Sequence, residues 1–458
     1  MSIPNQSLHE MDVRSSVHHF TDLDAHQTQG PFIVETGDGI YVYDTDGKKY
    51  LDSLAGAWCT SLGFSEKRLA KAAYEQMCRM PYSHTFSHRT GVPTVELADK
   101  LTEIAPGGIT RVFFTCSGSE AVDSAIKFVW YYHNAIGKPA KKKLIARKRA
   151  YHGITVAAAS LTGVPIFHKG FDLPVSDRFL HTDTPCHYRY SEVGESEEDF
   201  SSRLAQNLET LILAEDPDTI GAFIAEPVMA AGGLMTPPKS YFEKIQAVLK
   251  KYNILMIADE VICGFGRTGN MWGCNTYDIR PDIITCAKQL SSAYLPIAGV
   301  LITENIYEGL IEGCKEHGVF GLGYTYGGHP VPAAVALETL KIYEERNILE
   351  HVRQLSPYFL ERLESLKTHS LVGDTRGVGL LGGIEIVASQ DSKTLFDPDK
   401  KAAIKIAQQG FRHGLIIRPL PGDVIGICPP MIIDRKGIDE LFDAMHCSIE
   451  DGAKVLEV

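Results

Sequence analysis

The chain has 458 residues, 44% of them hydrophobic and 22% charged, with a formal net charge of −12. These are the values of an ordinary globular protein able to bury a large domain with a smaller one built around it, and they exclude extended disorder. The acidic balance offers no broad basic face for nucleic acid, and no run approaches the roughly 20 apolar residues needed to span a bilayer.

The leader MSIPNQSLHEMDVRSS is polar, with neither the apolar centre of a signal peptide nor the Arg-rich pattern of a transit peptide. The ten cysteines are scattered, without a C-x-x-C pair or metal-like Cys/His spacing. This predicts free thiols, no metal site and a reducing, cytoplasmic setting.

Pro31 to Trp58 (PFIVETGDGIYVYDTDGKKYLDSLAGAW) reads as short strands joined by Asp-Gly turns, a small β-rich layer. From about residue 60 to 320, apolar runs alternate with helical periods, the pattern of a mostly parallel sheet with helices on its faces. Four runs are strand candidates: Arg111–Thr115, Gly221–Pro227, Ile254–Val261 and Asp282–Lys288. Each has a polar or charged residue at or near its carboxyl end. The carboxyl ends of strands in an open α/β sheet line the ligand crevice, so Glu226, Asp259 and Lys288 are expected to converge there. The basic run Lys138–Arg149 (KPAKKKLIARKR) reads as a solvated helix-to-strand connection rather than an anion site. After residue 330 a helical stretch precedes strand-like GVGLLGGIEIVA and GLIIRPLPGDVIGICPP. The expected division is 1–60 joining the small domain, 61–330 as the large domain, and 331–458 as a C-terminal α+β small domain.

Several motifs carry possible chemistry. RVFFTCSGSEAVDSAIKF is a strand, a small-residue turn and a helix. Gly118 and Ser119 there suit an anion at a helix start, and an ordinary serine N-cap is the alternative. Asp259 ends an apolar strand, where a carboxylate needs a cation; a protonated pyridine nitrogen or a buried salt bridge would serve. Lys288 ends another. Its neutral amine is available for a Schiff base if desolvated, while a snorkelling lysine is the plain reading. Tyr151, in Tyr-His-Gly, offers a ring to stack on a planar group or simply to pack in the core. Thr325, in GLGYTYGGHP, offers a hydroxyl to a phosphate or marks a tight loop. CSGSEA lacks the G-x-G-x-x-G spacing of a dinucleotide fold, which argues against a nicotinamide dehydrogenase.

Taken together, and in this order, these motifs resemble class III aminotransferases, the ω-transaminase group of pyridoxal-phosphate enzymes with the type I fold. IADEVICGFGRTGNMWG, the Lys288 segment and TYGGHP are especially similar. The resemblance implies an α/β fold whose cofactor, pyridoxal 5'-phosphate, is held by Gly118, Ser119, Tyr151, Glu226, Asp259, Val261, Lys288 and Thr325. Lys288 would be the catalytic base that carries the cofactor. Trp58, Phe86 and Arg418 would meet the substrate, Arg418 through a carboxylate unless it forms a surface salt bridge. Thr325 would reach the cofactor of a neighbouring subunit in a homodimer. The implied reaction moves an amino group from a primary amine or ω-amino acid to a keto acid such as pyruvate. An aminomutase or amino-acid racemase on the same scaffold is the alternative, and a non-catalytic binding protein is disfavoured by the intact set. Four departures from the family pattern stand out. Gln289 replaces the usual glycine, Gly327 a frequent serine, and Ser87 a second aromatic whose loss would widen the pocket. Pro419, Leu420 and Pro421 put three residues between Arg418 and Gly-Asp where two are common.

Overall fold

The computed structural model describes residues 7–457; the first six residues of the polar leader and Val458 lie outside the described residues. The β-rich layer is β1 (Val34–Asp38), β2 (Tyr41–Asp44) and β3 (Lys49–Asp52), paired antiparallel in sequence order. Its Asp-Gly turns put Gly39 at φ +56° and Gly47 at φ +77°. A residue with a Cβ adopts that left-handed region only at a cost.

The centre of the chain builds a seven-stranded sheet from β4 (Ile109–Thr115), β5 (Lys143–Arg147), β6 (Phe179–Thr182), β7 (Ile220–Ala225), β8 (Leu255–Asp259), β9 (Ile283–Cys286) and β10 (Ala298–Thr303). The spatial order is β4-β10-β9-β8-β7-β5-β6. Strands β5 to β9 pair in parallel, and only β10 runs against its neighbours. Strand β7 (IGAFIA) is apolar throughout because both faces are covered. Ala222 and Ile224 join one apolar cluster with the helix Gly118–Ala135, while Phe223 and Ala225 join another with the helices Glu197–Ala214 and Tyr241–Lys251. Alternation of successive side chains between sheet faces produces this split.

The C-terminal part adds β11 (Val372–Val378), β12 (Leu381–Ile386), β13 (Leu415–Ile416), β14 (Arg418–Leu420) and β15 (Val424–Ile427). Four of these form a sheet ordered β11-β12-β15-β14, whereas β13 pairs in parallel with β3 and so ties the C-terminal part to the N-terminal layer.

The basic run does not behave as a solvated connection. Lys143–Arg147 is strand β5, and Lys141 and Arg147 are buried. The Lys141 ammonium donates to the carbonyls of Pro217, Ile220, Tyr252 and Asn253 at 3.0, 2.9, 3.3 and 3.3 Å. It ties three chain segments together at the amino ends of the strands. Arg147 donates from Nη2 to the Glu226 carbonyl at 2.6 Å.

Candidate active site

Glu226 directly follows β7, Asp259 ends β8, and Lys288 lies two residues beyond β9, so three adjacent parallel strands deliver them to one edge of the sheet. All three line a cavity of about 290 Å³, together with Gly118, Ser119, Tyr151, Val261, Trp58 and Arg418. A larger hollow, about 1170 Å³, opens at the other ends of β8 and β9 between Lys250, Asp278 and Asp282. None of the residues that line the smaller cavity borders it.

Thr325 and Phe86 do not line the cavity of their own chain. Thr325 is exposed, its carbonyl accepting from the Tyr82 hydroxyl at 2.8 Å, and Phe86 is 43% exposed against Gly323. The Thr325 loop and the Phe86 segment thus form one exposed unit. A Cβ on Gly327 would stand 2.6 Å from the Phe114 carbonyl oxygen, so this loop has no room for the serine that is frequent there.

Asp259 is 4% exposed. One carboxylate oxygen lies 2.7 Å from His152 Nδ1, and the other accepts the Val261 N–H at 3.2 Å. The far nitrogen of His152, Nε2, is buried and has no partner among the described residues. The next residue, Glu260, lies just past the end of β8 and is buried. Its carboxylate accepts the N–H groups of Gly273 and Cys274 at 2.9 and 2.6 Å. Burial pushes both Glu260 and Glu226 up to about 7. For Glu226 the nearby His152 and Arg147 oppose that push, and Asp259 adds to it. Glu226 also accepts the Tyr151 N–H at 3.3 Å.

Lys288 has φ +49°, a left-handed backbone that a lysine adopts only under constraint from its surroundings. Its amine borders the cavity yet is ringed by protein, and this desolvation lowers its pKa. Gln289, the departure beside it, is buried and donates to the Ile262 carbonyl at 2.7 Å, a local adjustment that leaves Lys288 facing the cavity.

At the start of the helix Gly118–Ala135 the cap is Ser117, whose hydroxyl accepts the Glu120 N–H at 3.2 Å while the Glu120 carboxylate accepts the Ser117 N–H at 3.1 Å. This capping box releases Gly118 and Ser119 from capping, and both line the cavity. The first-turn N–H groups lack intrahelical acceptors, so the helix start is electropositive. A Cβ on Gly118 would stand 3.1 Å from both Val261 methyls, which leaves only glycine an easy fit.

Sequence reasoning missed three contributors. His152 was legible only as the middle of Tyr-His-Gly, with nothing to mark Asp259, 107 residues away, as its partner. Phe20 and Phe167 also line the cavity; their rings stack at 5.1 Å, and Phe167 meets Tyr151 at 5.1 Å. An electropositive helix start, an aromatic ring, a buried carboxylate and a desolvated amine around one cavity suit a flat, phosphorylated, cationic-ring cofactor.

The family model for class III aminotransferases matches residues 23–449. The chain belongs to the class III aminotransferases. It is 49% identical over 434 residues to a chloroplastic gamma-aminobutyrate transaminase 3 of Solanum lycopersicum, covering 94% of this chain and 82% of the relative. A mitochondrial gamma-aminobutyrate transaminase 1 of Oryza sativa subsp. indica is 50% identical over 412 residues, covering 90% and 80%. The omega transaminase of Pseudomonas jessenii, solved in complex with PMP, superposes with a TM-score of 0.97 at 48% identity and covers 99% of each chain. This class III aminotransferase has the type I fold, uses pyridoxal phosphate and transfers amino groups. The relatives named here are transaminases, which favours transfer over an isomerase reaction.

Proposed function

We propose that this aminotransferase moves an amino group from a primary amine or ω-amino acid, γ-aminobutyrate first among them, to pyruvate. The carrying observation is that Arg418 and Lys288 share one cavity with the apolar walls of Trp58, Phe167 and Leu420. An arginine fork receives a carboxylate, and the apolar wall receives an uncharged amine. Arg418 is partly buried and its charge is disfavoured by desolvation, which argues for a cavity group awaiting a carboxylate rather than a surface salt bridge. The names of the plant relatives support the choice of γ-aminobutyrate.

The cofactor, when bound, would supply an electron sink for the charge left as the substrate loses a proton. Lys288, which lines the cavity with a desolvated amine, would carry the cofactor and serve as the general base and acid for the proton on the substrate carbon. Asp259 would pair with the ring nitrogen, and His152, 2.7 Å from its carboxylate, would fix its orientation. Gly118 and Ser119 would hold the phosphate, Tyr151 and Val261 would contact the ring, and Glu226 would organise the region near Asp259. Thr325 and Phe86 serve the partner's cavity in a homodimer. Their exposure together in one unit, away from their own cavity, supports that assignment. Ser87 widens the pocket beside Phe86.

We also propose the domain division 1–60, 61–330 and 331–458. Trp58 from the first part and Arg418 from the last face Lys288 and Asp259 from the middle, which puts the cavity between domains, a common place for ligands. All ten cysteines are free, which supports a reducing compartment, here the cytoplasm.

The test is an absorption spectrum of the holoenzyme before and after γ-aminobutyrate or a primary amine, and again after pyruvate. The long-wavelength cofactor band is expected to bleach with amine and return with pyruvate. A band that no amine bleaches overturns the transfer reading for these donors.

The longer turn after Arg418 has its own support. Arg149 donates from Nε to the Gly232 carbonyl at 3.0 Å and from Nη2 to the Pro421 carbonyl at 2.7 Å. Gly422 follows at φ +79°, where a Cβ would stand 2.8 Å from the Arg149 guanidinium. Arg149 therefore pins the three-residue turn that aims Arg418. Arg149→Met is expected to raise the KM for pyruvate by roughly tenfold, the equivalent of one charge-assisted hydrogen bond, with the half-reaction of a primary amine that lacks a carboxylate unchanged. Equal losses in both half-reactions would mean that Arg149 acts only on the fold.

A further inference from the structure

No Cys/His spacing in the sequence points to a metal, but the folded leader gathers Asp12, His18 and His26, three residues spaced six and eight apart. Asp12 lies on the helix Leu8–Ser15, His26 on the helix Leu23–Gln29, and His18 on the connection between them. One Asp12 carboxylate oxygen is 2.7 Å from His18 Nε2 and 3.2 Å from His26 Nε2, and all three ligand atoms lie within 4.8 Å of one another. The two imidazoles stand with ring centroids 4.1 Å apart and tilted by 37°. Both thus turn the same nitrogen toward one point.

Two ligand atoms on a tetrahedral zinc ion, each about 2.0–2.1 Å from the metal, stand about 3.3 Å apart. The spacing of Asp12 and His26 already meets this, and that of Asp12 and His18 needs a small opening. Exposure grades from 8% at His26 to 24% at Asp12 and 32% at His18, so the cluster has a protein-backed side and a side open to a water ligand. Two imidazoles and one carboxylate suit zinc or a neighbouring transition metal. They supply too few oxygens for calcium and are too nitrogen-rich for magnesium.

We propose that Asp12, His18 and His26 bind a transition-metal dication of the zinc type and thereby staple the leader at the mouth of the cavity. The link to the cavity is Phe20, between the two histidines in sequence. It holds φ +49°, stacks on Phe167 at 5.1 Å and lines the cavity with it. A metal joining residue 12 to residues 18 and 26 closes the chain on both sides of Phe20 and narrows the positions its ring can take.

The experiment titrates zinc chloride into chelator-treated, dialysed holoenzyme by calorimetry and follows amide hydrogen exchange across residues 7–30. One zinc per chain is expected, with slowed exchange over residues 12–26. His18→Asn and His26→Asn should each weaken this binding roughly tenfold or more, because even outer-shell changes at metal sites cost that much. His19→Asn, next to the cluster and outside it, should leave binding intact. An unchanged cofactor absorption band in each variant shows that the enzyme has folded. Absence of binding in wild type would mean that the trio is only hydrogen-bonded and would overturn the proposal. So would binding that survives His18→Asn/His26→Asn, since the metal would then sit elsewhere.

Discussion

Lys288→Ala is expected to lower turnover of any amine and keto-acid pair by about 10³-fold or more, combining loss of a positioned general acid and base, itself about 10²–10⁴, with loss of the covalent attachment point. Among the described residues that line the cavity, Lys288 carries the only primary amine. Its backbone is left-handed, at φ +49°. Lys288→Arg should fail as well, since a guanidinium stays protonated and offers no neutral nitrogen. Single-turnover kinetics with pyridoxal phosphate in excess separates loss of chemistry from loss of cofactor. Turnover within tenfold of wild type in either variant would remove Lys288 from its proposed role.

The sheet and its reactive edge were legible because a single physical rule covers them. Runs such as IGAFIA and LMIA are apolar throughout only when both faces are buried, and a polar residue where such a run ends marks the carboxyl edge of the strand. Glu226, Asp259 and Lys288 followed from that rule, and the same cavity holds them. The basic run failed for the converse reason. Lys141 and Arg147 look like solvated charge in sequence because their acceptors are backbone carbonyls 76 to 112 residues away, and carbonyls carry no sequence signal. The turn at Ser117-Gly118-Ser119 was read as either an N-cap or an anion site, and the two functions fall on different residues. Ser117 caps, while Gly118 and Ser119 face the cavity. His152 and the Asp12 cluster share the lesson of Lys141. Each depends on a pairing made by the fold, and no local spacing encodes it.

Asp259→Asn isolates charge from shape. An asparagine fills the same volume and keeps a carbonyl oxygen for the Val261 N–H, so the end of β8 should hold its geometry. What disappears is a negative charge at a position 4% exposed, where water cannot replace it. Removing one partner of a buried ion pair costs about 3–5 kcal/mol, which corresponds to two to nearly four decades in rate if the loss falls on the charge-bearing step. The expectation is therefore a kcat lowered by about 10²–10⁴ with KM for the amine little changed, measured on protein whose cofactor content is matched by absorbance. His152→Ala is expected to cost less, roughly tenfold, because it leaves the charge in place and removes only the hydrogen bond at 2.7 Å that orients it. The ordering decides between the two accounts of this pair. If His152→Ala were the more damaging change, the imidazole rather than the carboxylate would be the group acting on the cofactor ring, and its buried Nε2, unpartnered among the described residues, would be the atom to follow.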